Sequence, residues 1–287
     1  MRPDVHAFFH EPTNTVTYLV ADLATKKAAL IDPVLDFEPA SGKVWRASVD
    51  NVLAEAKRLG LTISWILETH AHADHLSGAQ PARAATGAPI VIGDHIRDVQ
   101  HIFAPKFLAE DITDDYEAFD KLVHEGDTLP LGELTISVLH TPGHTPACVT
   151  YVIGDAAFVG DTLFMPDYGT ARADFPGGDA ASLYRSIRKI LALPTDTRIF
   201  VGHDYKAPGR DAYAWETSVA AERAKNVQVN DTIDEDAFVA ARKARDATLA
   251  APRLLLPSLQ VNIRGGRLPP ADKDGVVRFR IPITDAS

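Results

Sequence analysis

Hydrophobic and polar positions along the chain switch between two repeats. Thr15 to Val20 is rich in β-branched and aromatic residues, Ala28 to Ile31 is a short apolar run closed by Asp32-Pro33, and Ser64 to Leu67 is another. These predict strands. Between them Val49, Val52, Leu53, Ala56 and Leu59 share one helical face, and Gly60 supplies the stop. Thr128 to His140 and Ala147 to Val159 read as strands separated by the turn signal Thr141-Pro142-Gly143. A second helix is predicted from an Asp179 cap through Leu183, Ile187, Ile190 and Leu191 until Pro194, followed by a strand from Arg198 to Val201. Beyond Asp211 the pattern predicts helices over 211–225 and about 235–250, then a Pro- and Gly-containing tail from Pro252. Without an internal repeat or a long linker, this is an α/β layered domain with a helical C-terminal addition.

Composition narrows the class of protein. The 287 residues are 46% hydrophobic and 24% charged, enough to bury a substantial core. A formal charge of −10 disfavours nucleic acid and anionic membrane surfaces as partners. The single cysteine, Cys148, permits no intrachain disulfide, and no apolar run reaches the length of a membrane helix. A soluble cytoplasmic protein is the expectation.

The sharpest chemical signal is His70-Ala71-His72-Ala73-Asp74-His75, directly after the apolar run that ends at Leu67. On an extended chain His70 and His72 leave on the same side, and Asp74 is placed to cap a helix beginning near Leu76. Three imidazoles and a carboxylate within six residues form a metal-ligand cluster. Further candidates stand where apolar runs give way to loops: His144 after Thr141-Pro142-Gly143, Asp161 after 157–160 and His203 after 199–202. Cys148 lies in the strand pattern Cys148-Val149-Thr150-Tyr151 and reads as a small hydrophobe. The segment from about Phe103 to Glu125, with Asp111, Asp114, Asp115, Glu117 and Asp120, lacks the spacing of a calcium loop and reads as a solvated acidic face.

With these seven ligand positions the chain resembles proteins of the metallo-β-lactamase fold over about residues 13 to 230. The resemblance implies a four-layer αββα sandwich with the metal site at one edge of the paired sheets, a catalytic domain over 1–250 and a C-terminal extension over 251–287 packed on it. The neighbourhoods Glu68-Thr69-His70, Pro142-Gly143-His144-Thr145-Pro146, Gly160-Asp161-Thr162, Arg172-Ala173-Asp174-Phe175 and Gly202-His203-Asp204-Tyr205 resemble in particular the persulfide dioxygenases, the ethylmalonic-encephalopathy protein family. That likeness implies a non-haem oxidoreductase acting in sulfide oxidation, converting glutathione persulfide and O2 to sulfite at a single Fe(II) per chain. It implies His70, His144 and Asp161 as metal ligands, with His72, Asp74, His75 and His203 as catalytic polar neighbours. Arg172 and Tyr205 are the implied substrate contacts, with Lys206, Arg223 and Asn226 as further candidates.

The sister family, glyoxalase II, implies an alternative: a hydrolase of glutathione thioesters with two zinc or mixed metals, Asp161 bridging and Asp74, His75 and His203 completing the second site. A metal-bound sensor without turnover is a third reading. Relatives carry a cysteine in the segment matching Asn262 to Gly266; glycine stands there here, so oxidation control at that position is not expected. The Phe103–Glu125 insertion and the tail are expected to shape substrate entry or a homodimer contact.

Overall fold

A computed structural model describes residues 2–114 and 117–283. Two six-stranded sheets face one another. The first runs, in spatial order, Asp4–His10, Thr15–Asp22, Lys27–Ile31, Thr62–Leu67, Ile90–Gly93 and Lys121–Val123; the second runs Thr128–Leu131, Leu134–His140, Val149–Ile153, Ala156–Phe158, Arg198–Phe200 and Glu216–Ser218. Their facing surfaces meet in one apolar layer that includes Tyr18, Ile31, Leu67, Ile136, Tyr151, Phe158 and Phe200.

Helices cover both outer faces. Helix α1 (Ala47–Arg58) and α2 (Ala79–Thr86) bury Val49, Val52, Ala56, Ala79 and Ala82 against Leu19, Ala21, Ala28 and Leu30 of the first sheet. Helix α3 (Ile96–Phe103) follows the fifth strand of that sheet. Helices α4 (Ala180–Ile190), α5 (Val219–Lys225) and α6 (Glu235–Asp246) cover Ala157, Val159, Ile199 and Val201 of the second sheet. The result is the expected αββα sandwich. A last helix, α7 (Leu255–Asn262), packs Leu259 with Phe103, Phe107 and Phe175. Among the described residues no helix is long and apolar enough to cross a membrane.

Three expectations are corrected. No helix begins at Leu76: Leu76–Ser77 pairs antiparallel with Val34–Leu35, and α2 starts only after Gly78, so Asp74 caps nothing. Residues 211–225 are not one helix, because Glu216–Ser218 pairs with Arg198–Phe200 and an extended Ser218 then caps α5 by accepting from Ala221 N at 3.1 Å. The tail, for which the pattern predicts no element, holds a helix: α7 went unseen because polar Ser258, Gln260 and Asn262 are buried together with Leu259 and Val261, so polarity there marks no exposed helical face.

The acidic insertion is also more than a solvated face. It buries Phe103 and Phe107, and Asp111 makes a bidentate ion pair with buried Arg264, both contacts at 2.6–2.7 Å. Asp115 lies outside the described residues.

Candidate metal centre

The parallel strands aim the chemistry at one edge. Lys27–Ile31, Thr62–Leu67 and Ile90–Gly93 run parallel, and so do Ala156–Phe158 and Arg198–Phe200. Asp32, the 68–75 segment, Asp161 and His203 each follow the C-terminal end of one of these strands, where open α/β sheets gather their ligands. The bridge of Thr15 to His203, with Val16 N donating to Gly202 O at 2.8 Å, ties the two sheets together beside the site. Two glycines allow the close fit. A Cβ on Gly143, at φ 137°, would meet Leu183 backbone at 2.3 Å, and one on Gly160, at φ 51°, would meet Thr69 Oγ1 at 2.5 Å.

The predicted ligands fall into two neighbouring groups. His70, His144 and Asp161 are all buried and offer donor atoms within 4.8 Å of one another; so do His72, Asp74, His75 and His203. Asp161 faces both groups. Its Oδ2 is 3.9 Å from His70 Nε2 and 3.7 Å from His144 Nε2, while its Oδ1 is 3.3 Å from His203 Nε2. His203 Nε2 is also 3.4 Å from Asp74 Oδ2.

The hydrogen bonds behind the rings decide which nitrogens are free. Thr69 Oγ1 donates to Asp32 Oδ2 at 2.8 Å, so it accepts from His70 Nδ1–H at 3.0 Å. His144 Nδ1 donates to Arg172 O at 2.8 Å, and His203 Nδ1 donates to Asn14 O at 3.2 Å. In each ring the lone pair is thereby left on Nε2, aimed inward. Among the described residues, buried His70 Nε2, His75 Nε2, His203 Nε2 and Asp161 Oδ1 find no hydrogen-bond partner. Orphaned buried acceptors are costly in an empty cavity and are satisfied by a cation, so the donor set fits a metal.

Electrostatics agree. Burial, with neighbouring imidazoles, pushes His70 well below the ordinary histidine range and His75 down to about 4, keeping both neutral as ligation requires.

His72 differs from His70 although their rings lie 4.0 Å apart. Its Nε2 faces Asp32 Oδ1 at 3.1 Å and Glu68 Oε2 at 3.6 Å, without a well-aligned hydrogen bond to either. Burial lowers its proton affinity and the two carboxylates more than restore it, so His72 is held well above the ordinary range. The two histidines therefore serve different neighbours.

Above the centre opens a cavity of about 580 Å³ that reaches Asp74, His144 and Asp161. Phe164, Tyr168, Tyr205, Arg172, Arg242 and Arg245 are among its walls. Tyr205 stacks on His203 at 5.6 Å between ring centroids. Arg172 lines the cavity with its guanidinium engaged, by Asp174 at 2.5 and 2.7 Å and by Ala250 O at 2.7 Å. The other three predicted contacts are not among the cavity walls. Lys206 Nζ sits over Tyr213 at 4.2 Å, Arg223 pairs with Asp231 at 2.8 Å, and buried Asn226 donates to Gly169 O at 3.1 Å, holding the loop that forms one wall.

Sequence reasoning missed Asp32, Thr69, Glu68 and Asn262. Asp32 follows an apolar run just as Asp161 does, and the same strand-end rule would have found it. Asn262 had no local signal. Its Nδ2 donates to His72 O and His75 O at 2.7 and 2.8 Å, and its Oδ1 accepts from Ser77 N at 2.8 Å. Cys148 is buried, contacts Thr145 N and Oγ1, and burial pushes its thiol up to about 12, as suits a packing residue.

The family profile of the metallo-beta-lactamase superfamily matches residues 10–203. This chain belongs to that superfamily. Within it, a probable metallo-hydrolase of Burkholderia pseudomallei is 51% identical, covering 97% of this chain and 98% of its own. Glyoxylase B2 of Dictyostelium discoideum is 43% identical over 92% of this chain and 91% of its own. The human mitochondrial persulfide dioxygenase ETHE1 is 33% identical over 68% and 66%. Beta-lactamase hydrolase-like proteins of Xylella fastidiosa and Agrobacterium fabrum are longer, and the chain spans 65% of their length. Among solved structures, ETHE1 of Myxococcus xanthus superposes with a TM-score of 0.73 at 30% identity, covering 92% of this chain and all of that one. Metallo-beta-lactamase superfamily membership fits the αββα sandwich, and relatives named as oxidoreductases and as hydrolases both appear among the similar proteins.

Proposed function

We propose that this protein is a persulfide dioxygenase in which His70, His144 and Asp161 hold a single Fe(II). Glutathione persulfide, O2 and water would give glutathione, sulfite and two protons, so the outer sulfur is oxidised and O2 is reduced. The observation that carries the reading is the donor set itself: two buried imidazoles and one carboxylate with donor atoms within 4.8 Å of one another, of which His144 and Asp161 line the 580 Å³ cavity. Such a mixed nitrogen and oxygen set would suit Fe(II). The likeness to ETHE1 over nearly the whole chain supports it further.

Bound iron would supply the electron transfer that couples the sulfur substrate to O2. The chain's own residues supply position and charge. Thr69 and the Arg172 carbonyl orient His70 and His144. Asp74, His75 and His203 form a polar wall on the far side of Asp161, able to hydrogen-bond the water that the reaction consumes. His72 stands behind them against Asp32 and Glu68. Glutathione carries two carboxylates, and Arg245, without an ion-pair partner among the described residues, offers a guanidinium at the cavity wall. Tyr205 and Arg172 would shape the entrance beside it.

Iron-loaded protein is expected to hold one iron per chain and to take up O2 when given glutathione persulfide. Metal analysis and an oxygen electrode on the same sample check it, and iron-loaded protein that consumes no O2 would remove the reading.

A dinuclear thioester hydrolase is the second reading, favoured by one specific observation: Asp161 Oδ1 points at His203, beside Asp74 and His75, as a bridging carboxylate would. Two tightly held metals per chain and hydrolysis of S-lactoylglutathione without O2 uptake would select it.

A further inference from the structure

A second cavity, of about 240 Å³, lies on the other flank of His144. Its walls are Phe103 and Phe107 of the insertion, Phe175, and Pro252, Leu255 and Leu256 of the C-terminal segment. The rings interlock, with Phe175 5.2 Å from Phe103 and 5.9 Å from the His144 imidazole between centroids. Ala73, His144, Arg172 and Pro252 line both cavities and so form their common wall.

The two cavities differ in kind. The larger carries arginines, tyrosines, Gln228 and the carboxylates of the centre. In the smaller, the polar groups are committed elsewhere. Asp174 is taken by Arg172, His144 Nδ1 by the Arg172 carbonyl, and the Lys106 ammonium sits over the Phe103 ring at 4.9 Å. A polar organic substrate finds no partner there, and burying its polar groups would be unfavourable. Apolar cavities of this kind accept small apolar guests, xenon among them.

We propose that this apolar chamber, open to solvent past exposed Lys106 and Pro282, is the docking site for dioxygen and holds it against the His144 wall, next to the metal position. The inference rests on the dioxygenase reading, which requires two reactants of opposite polarity; the protein has two cavities of opposite polarity that meet at one ligand. It also gives the insertion and the C-terminal segment a shared purpose, since neither builds the chamber alone.

The test uses the full-length iron-loaded protein and two variants at partly exposed wall positions outside the metal centre, Leu255→Trp and Ala251→Phe. Crystals of the parent protein pressurised with xenon are expected to show the gas in the chamber, and the variants to lose it. Both variants are expected to raise KM for O2 several-fold while leaving KM for the persulfide, the rate at saturating O2 and the iron content unchanged. A chamber without xenon, or an unaltered KM for O2 in folded, active variants, overturns the proposal and spares the dioxygenase reading. A change in KM for the organic substrate instead overturns it by assigning the chamber to that substrate. Parent protein that takes up no O2 sinks the dioxygenase reading itself.

Discussion

The behaviour of single residues at this centre follows from where their second hydrogen bond goes. Thr69 is the clearest case: one hydroxyl accepts from His70 and donates to Asp32, which in turn accepts from Thr69 N at 2.7 Å. Replacing it by Val keeps the shape and removes the orienting group. Thr69→Val is expected to weaken metal affinity by about 10- to 100-fold, the usual effect of losing such a support, as measured by metal titration of the stripped protein. A fold defect would instead show as a lowered melting temperature without metal. Histidine identity alone could not separate His70 from His72, because the difference lies in the carboxylates of Asp32 and Glu68 that face only the second ring.

At the scale of elements, helices act on the site from a distance. Helix α7 ends with Asn262, whose side chain makes three hydrogen bonds to the ligand segment. Removing it leaves two carbonyls and an amide of a buried segment without partners. Asn262→Ala is expected to destabilise the protein by about 1–3 kcal/mol and to weaken metal retention, read by denaturant unfolding and metal analysis.

Helix α5 carries a different liability. Burial pushes Glu222 up to about 8 from an ordinary 4.5, against the opposing hydrogen bond that its Oε2 accepts from Asn226 Nδ2 at 2.6 Å. The unfolded chain releases this proton near 4.5 and the folded chain near 8, so the folded state binds the extra proton in between and stability falls as pH rises across that window. Glu222→Gln, which keeps the acceptor for Asn226, is expected to flatten that fall. The slope removed is at most roughly 1.4 kcal/mol per pH unit, seen as a smaller drop in melting temperature from pH 5 to pH 8.

For the molecule as a whole, the metal centre is a clasp between the sheets. His70 follows a strand of the first sheet, whereas His144, Asp161 and His203 follow strands of the second. A cation held by both would be lost on unfolding, so its binding free energy adds to stability. Stripping the metal with a chelator is expected to lower the melting temperature, and re-addition of Fe(II) or Zn(II) to restore it. A melting curve indifferent to metal would contradict this.

How much of this was legible beforehand varies with how local the cause is. Strands such as Thr15–Asp22 and Thr62–Leu67, the α1 face and the Asp179 cap of α4 were readable because their signals sit within a few residues, and Asp179 does accept from Ser182 N at 2.7 Å. Helix α7, whose last five residues are buried, and the strand at Leu76–Ser77 were not, since each exists by packing or pairing with residues far along the chain.

What the sequence by itself determined is the inventory: which donors the chain owns, that they stand where apolar runs end, and which superfamily that pattern belongs to. Local chemistry suffices for that, because ligand type and strand propensity are properties of short segments. What only the tertiary structure decided is how the inventory is divided: His70 with His144 and Asp161, His72 with Asp32 and Glu68, Arg223 outside the cavity and Arg245 in its wall. Those divisions depend on distances between segments separated by scores of residues, and such distances are set by packing two sheets face to face, which no short stretch of chain encodes.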